Sequence, residues 1–426
     1  MMTYDVTSWR AVLHIGSVVT PRWSGIQPAR LRMLLVAALL CTPLHAGRTS
    51  PSIPTSDSMV LEQVPGSRDM SGIALRRLNT ALALDRNNSV LAVQVARLDL
   101  EQSRKLGDPR YLGRAEAALS SWPVTASATP PDILLLYSII QQSNHDFTGS
   151  LATLARVIAA KPDSVQAWLV RAAVHQAQAD YKAASLDCGQ VASGRLGLVP
   201  DTCTASVMSL TGRATVALRA IAISLQQNAA EARSQPGIAV WTLTLEAETA
   251  DRLGDPSAET YYRQALAIDP NDPYLLGAWS DWLLDHGRPL DVVALLADRT
   301  RIDPLLLRLA LAEQQTKRGQ LARHLDELEA RFDASRLRGE TVHRREEARY
   351  MLALRHRPIE ALALAQANWT VQREPADARI LLEAAIAAGR PGAAAPVRAW
   401  LSDNGVQDPR LAELATRTTA SIGGKS

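Results

Sequence analysis

The feature that most restricts the fold is a turn pattern that returns at a fixed interval. Pro131 opens a helix-period pattern through Leu134, Tyr137 and Ser138. Asp146-Phe147 marks a turn, and a second helical pattern runs through Leu151, Leu154 and Val157 to Lys161-Pro162-Asp163. Val165 then starts the same series again with Trp168, Arg171-Ala172, Asp180-Tyr181, Ala184 and Val191. Farther along, Ile302-Asp303-Pro304 follows Ile268-Asp269-Pro270, with Gly287 at the intervening turn. The step from Pro270 to Pro304 equals the step from Pro131 to Val165. A period of this length holds one helical hairpin. A lone hairpin cannot bury its apolar face, so copies must stack.

Composition agrees. Of 426 residues, 47% are apolar, chiefly Ala and Leu, and only 4% aromatic. Small side chains let helices approach closely, and alternating Val/Ile/Tyr runs suited to strands are hard to find. Four arginines against one aspartate in residues 1–46 account for the whole formal charge of +3. The remaining body is neutral, with signs interspersed, and lacks the basic face that nucleic-acid binding requires.

The repeated positions resemble those of the tetratricopeptide repeat (TPR) family. Trp168, Ala172, Asp180, Tyr181 and Ala184 fit its pattern in one unit; Gly254-Asp255, Ala258, Tyr262, Ala265 and Pro270 fit it in another. The resemblance implies an all-α, right-handed superhelical solenoid of about eight antiparallel hairpins over residues 70–415. In that scheme small residues sit where paired helices cross, aromatics fill gaps between hairpins, and Pro162, Pro270 and Pro304 end second helices. A non-repetitive bundle is the alternative. Polar links at 193–204 and 228–236 are possible seams.

Arg30 and Arg32 precede an apolar run at 33–41, Pro43 breaks it, and Leu44-His45-Ala46 precedes Gly47. That order reads as an export signal cleaved after Ala46, delivering the protein to the periplasm. The run is too short to span a bilayer, which takes roughly 20 residues. A buried helix of the mature chain is the competing reading. Leu40 before Cys41 disfavours lipid attachment, because that position takes a small residue. Residues 1–46 are therefore expected to be leader, 47–69 a flexible lead-in and 416–426 a disordered tail.

Chemistry is sparse. No H-E-x-x-H, G-x-S-x-G or G-x-G-x-x-G occurs, and Thr419 stands where Gly423-Gly424-Lys425-Ser426 would need a glycine to act as a phosphate loop. His343–Glu347 and His356–Glu360 have i,i+4 spacing but no evident third ligand. No catalytic residue, metal or cofactor is expected. The polar cluster at 338–349 reads as a helix start capped by Thr341 with ion pairs on a wet face, or as a partner or acid/base patch. Cys188 and Cys203 are expected to pair in an oxidising compartment; two reduced buried thiols are the alternative.

In TPR proteins the concave surface is lined by fixed positions of the first helix of each pair. Carried over from the resemblance, those positions give Asp132 and Gln142, then Gln166 and Gln176, then Tyr274, Asp281 and Asp285 as binding candidates for a protein or peptide partner. The Lys/Asn clamp that holds chaperone termini is missing. Two functions follow: an envelope scaffold or adaptor, or an accessory or catalytic protein with its site at 193–236 or 333–347. An exposed apolar or charged stripe points to the first. A deep pocket with convergent ionisable groups points to the second.

Overall fold

The computed structural model describes residues 70–423, and all regular elements among them are helical. The expected leader 1–46, with its cleavage after Ala46 and Cys41, and the lead-in 47–69 lie outside the described residues. After α1 (Met70–Leu84), helices pair in order. The first pairs are α2 (Ser89–Leu106) with α3 (Arg110–Ala118), α4 (Pro131–Ser143) with α5 (Phe147–Ala160), and α6 (Val165–Ala177) with α7 (Tyr181–Ala192). Next come α8 (Leu198–Met208) with α9 (Ala214–Gln227), the short α10 (Ala229–Ser234), and α11 (Pro236–Leu253) with α12 (Ala258–Ile268). Then α13 (Pro273–Asp285) pairs with α14 (Pro289–Leu296), and α15 (Asp303–Thr316) with α16 (Leu321–Leu337). The array ends with α17 (Arg344–Ala353) and α18 (Pro358–Trp369), α19 (Pro375–Ala387) and α20 (Ala395–Asn404), and a closing α21 (Pro409–Gly423).

Local chemistry sets many of these starts. Asn88, Asp146, Ser164, Asp180 and Asp272 each accept a hydrogen bond from a backbone N–H in the first helical turn. In the Asp146-Phe147 and Asp180-Tyr181 turns the cap is followed at once by a buried aromatic. The residue before each cap, His145 or Ala179, takes a left-handed backbone (φ 56° and 62°). Glycine would suit those two sites better.

The helix count and several boundaries compare with expectation as follows. Nine pairs are present among the described residues, in keeping with the expected count of about eight. Pro304 does not end a helix; it sits in the first turn of α15, where a missing N–H leaves no hydrogen bond unmade. The step between first helices is longer from Pro131 to Val165 (α4 to α6) than from Pro273 to Asp303 (α13 to α15), so the period drifts. Residues 416–423, expected to be disordered, continue α21, whose Leu411 and Thr418 are buried. The links are also more ordered than their polarity suggests. Helix α8 already starts at Leu198, α10 fills most of 228–236, and α17 starts at Arg344 rather than behind Thr341.

The coil closes on itself. Trp400 Nε1 donates to Tyr181 Oη at 3.2 Å, 219 residues away, and Ala214 N–H donates to the Gln407 side chain at 2.7 Å, 193 residues away. The Arg373 N–H meets the Ala177 carbonyl at 2.8 Å, and the Gly212 backbone approaches Gly405 so closely that an added Cβ would lie 3.3 Å from the Gly405 carbonyl. Gly107 touches Ile302 in the same way. Contacts of nearly constant sequence separation mean that one turn takes about six hairpins, and the next turn rests on it.

Cys188 of α7 and Cys203 of α8 form a disulfide between buried positions, with Cα atoms 5.5 Å apart. Closing a loop of this length stabilises by about 3 kcal/mol in the chain-entropy model. Urea unfolding with and without reductant should differ by that amount. Replacing both cysteines with serine should abolish the difference.

Candidate functional site

The inner face of the closed coil bounds a cavity of about 820 Å³. First helices of the pairs supply most of its wall, because they turn their polar stripe inward while their apolar side packs on the second helices. Thirteen basic and eleven acidic residues line it, so it is close to neutral and no simple anion trap.

Helix α13 is the centre of the charged wall. Asp281 and Asp285 lie one turn apart on one face. Asp281 accepts from Arg308 Nη2 of α15 at 2.5 Å and from Arg349 Nη1 of α17 at 2.6 Å. Asp285 takes both terminal nitrogens of Arg379 of α19, at 2.6 and 2.8 Å, and Arg410 of α21 at 2.8 Å. Arg410 also reaches Asp251 of α11 at 2.8 Å. One helix is thereby tied across the cavity to four others. Burial pushes the Asp281 carboxyl up, but the two guanidinium groups overcome it and hold the group well below the usual carboxylate range.

A second cluster surrounds Arg345, the second residue of α17. Its Nη2 donates to Glu346 at 3.1 Å, and its Nη1 faces both Glu374 at 3.3 Å and Asp377 at 3.4 Å. Asp377 also accepts from Asn368 Nδ2 at 2.8 Å and from the Glu374 N–H at 2.9 Å, while Gln372 donates to Glu374 at 2.6 Å. Burial would raise the Glu346 carboxyl, yet Arg345 keeps it at about 2. Glu374 and Asp377 share the remaining edge of one cation and are driven up by burial; for Glu374 the neighbouring Asp377 adds to the rise. Three carboxylates cannot all ionise cheaply beside one guanidinium.

Of the sequence candidates, Gln176, Tyr274, Asp281 and Asp285 line the cavity, and Tyr274 Oη donates to Glu248. Asp132, Gln142 and Gln166 do not line it. Asp132 pairs with Lys161 at 2.8 Å on the outside, Gln142 is buried inside the array, and Gln166 is half-buried on α6. Sequence reasoning marked Arg345 and Arg349 only as members of the polar cluster at 338–349, and missed Arg308, Glu374, Arg379 and Arg410. The cluster at 338–349 does not pair mainly within its own helix, as its spacing suggests. Arg345 and Arg349 reach α19 and α13, while Arg345 also pairs with Glu346 and Arg338 with Glu340 locally. The positional rule that selects Asp132 and Tyr274 also selects Arg345 in α17 and Arg379 in α19, but the weak motif matches in those units hide it. Among the described residues no three His, Cys, Asp or Glu side chains are grouped as a metal site would need.

No family model matches the chain. No curated protein matches it either. Among solved structures, the crystal structure of the P58(IPK) TPR domain is similar: it is 15% identical, the alignment covers 79% of this chain and 98% of that one, and the TM-score is 0.23. That likeness is too slight to carry function. By its successive helix pairs, their recurring pitch and the capped Asp-aromatic turns, the chain has a TPR-like fold, an array of stacked helical hairpins.

Proposed function

We propose that the protein is an exported binding protein, not an enzyme, that takes a short segment of a protein partner into the interior of its coil. The observation that carries this reading is the cavity itself. Its volume lies in the range of pockets that enclose a ligand, roughly 300–1,000 Å³. The ion pairs of Asp281 and Asp285 tie α13 to four other helices of its wall, so little ordering remains on that side when a ligand enters. Trp241, Tyr262 and Tyr274 add flat apolar surface beside those charges. The disulfide is compatible with an oxidising, envelope location. No helix among the described residues is long and apolar enough to cross a membrane.

Ala278 of α13 lines the cavity and is only partly buried, so a tryptophan there fills the space without disrupting the core. Cross-linked capture from envelope extracts should recover a protein with the wild type and not with Ala278→Trp, at unchanged thermal stability. Equal recovery by both, or none under several conditions, overturns the reading. N-terminal sequencing after fractionation checks export: a cytosolic chain that retains residues 33–46 removes that part.

A second reading has one observation behind it. Glu346 held low and Glu374 raised, on two edges of Arg345 in the cavity wall, is an arrangement that general acid/base chemistry uses. Hydrolytic turnover that disappears in both Glu346→Gln and Glu374→Gln would favour it over simple binding.

A further inference from the structure

Glu374 and Asp377, the carboxyls that burial drives up beside Arg345, also stand at the seam that closes the coil. In the link between α18 and α19, Val371 packs against Phe147, Val174 and Ala177, and the Arg373 N–H bonds the Ala177 carbonyl at 2.8 Å. Gln372 is buried, Glu374 follows closely, and Glu374 and Asp377 then cap the start of α19 reciprocally. Trp369, just before the link, meets Trp400 edge to face at 5.7 Å, and Trp400 is the donor to Tyr181. One short segment therefore joins the last hairpins to α5 and α6 a full turn earlier, Trp400 of α20 adds the contact to α7, and Glu374 forms part of the cavity wall.

We propose that this link is a proton-controlled latch: the coil is closed while Glu374 and Asp377 hold a proton between them, and opens to admit a ligand when that proton leaves. The latch rests on the binding reading only in calling the opened space a binding site. Charged and titratable groups facing the pair come from every neighbouring element. They are Arg345 and Glu346 on α17, Glu248 on α11, and Tyr181 on α7, with the Asn368 amide on α18. Arg345 is the cation in direct contact with both members of the pair, and Glu346 already occupies its other edge. While the seam stays shut, a second negative charge on the pair must share that guanidinium with two other carboxylates. Opening the seam gives it water.

The sign follows from linkage. Both carboxyls hold their proton more tightly in the closed state than a solvated carboxyl does. The closed state is favoured in acid and loses ground as pH rises from the ordinary carboxylate range, near ~4, toward neutrality. The opening equilibrium should grow about tenfold per pH unit across that window and then level off.

Hydrogen exchange on the full chain, corrected for intrinsic rate and read in peptides covering 174–182 and 368–378, tests this at pH 5.5 and 8. Wild type should lose at least tenfold of its protection in both segments together. Glu374→Gln should keep it at both pH values, with an unchanged melting temperature at pH 5.5. Where that variant does not fold, Asp377→Asn is read in the same way. Wild-type protection that is the same at both pH values overturns the latch, as does a Glu374→Gln protein that opens like wild type. No partner is present in this assay, so a partner captured by a pH-invariant coil removes the latch alone. A working latch with no partner removes the binding reading alone.

Discussion

Arg345→Met should lower the unfolding free energy by about 3–5 kcal/mol. The guanidinium is largely buried and is the cation in direct contact with Glu346, Glu374 and Asp377. Methionine replaces its volume but leaves three carboxyls in a pocket with limited water. An exposed pair would be worth at most about 1 kcal/mol, and a loss that small would mean the cluster is solvated. The deficit should shrink at pH 5, because protonating the stranded carboxyls removes the uncompensated charge. Urea midpoints for wild type and variant at pH 5 and pH 8 decide it; a pH-independent deficit would assign the effect to packing.

Trp400→Ala should lower the unfolding free energy by a similar amount, about 3–5 kcal/mol for a large aromatic removed from a core. Trp400 is buried, stacks edge-on with Trp369 and donates to Tyr181. Its second consequence discriminates between a closed and an open coil. In an open solenoid a change in α20 disturbs only its neighbours. Here exchange should also quicken in α6 and α7, far earlier in the chain, because that is where the seam rests. Trp400→Phe, which keeps an aromatic ring and loses the N–H bond, should cost only about 1 kcal/mol. Quickened exchange confined to residues 369–423 would show that the coil does not close.

Much of the fold was legible without coordinates. Helix existence and pairing follow from short-range chemistry: a carboxylate or hydroxyl cap, an aromatic one residue later, small residues at the crossings. These signals act within a few residues of each other, so they survive in a one-dimensional pattern. Boundaries are weaker. Pro304 reads as a stop and is a start, since proline is tolerated on both sides of a helix boundary for the same lack of an N–H. Polarity at 193–204 suggests a link, but Leu198 and Cys203 are buried and carry a helix through it.

The candidate site was half legible. Position within the first helix of a pair fixes which way a side chain points, so Tyr274, Asp281 and Asp285 could be placed on an inner face from sequence. What that face looks at could not. An i,i+4 rule sees pairs on one helix, whereas Asp281 meets Arg349 and Asp285 meets Arg379 and Arg410 across the cavity. Those partners come together through the curvature of the whole array, summed from small rotations at every hairpin. The amino-acid sequence by itself determined that this protein is all helix, paired and repeating, because those properties come from contacts within one hairpin and its immediate neighbour. Only the tertiary structure decided that the coil shuts, that its inner face bounds a cavity of about 820 Å³, and that Arg345 stands among three acids. Each depends on residues brought together by a full turn of the coil or by packing between neighbouring hairpins, where no local pattern marks them.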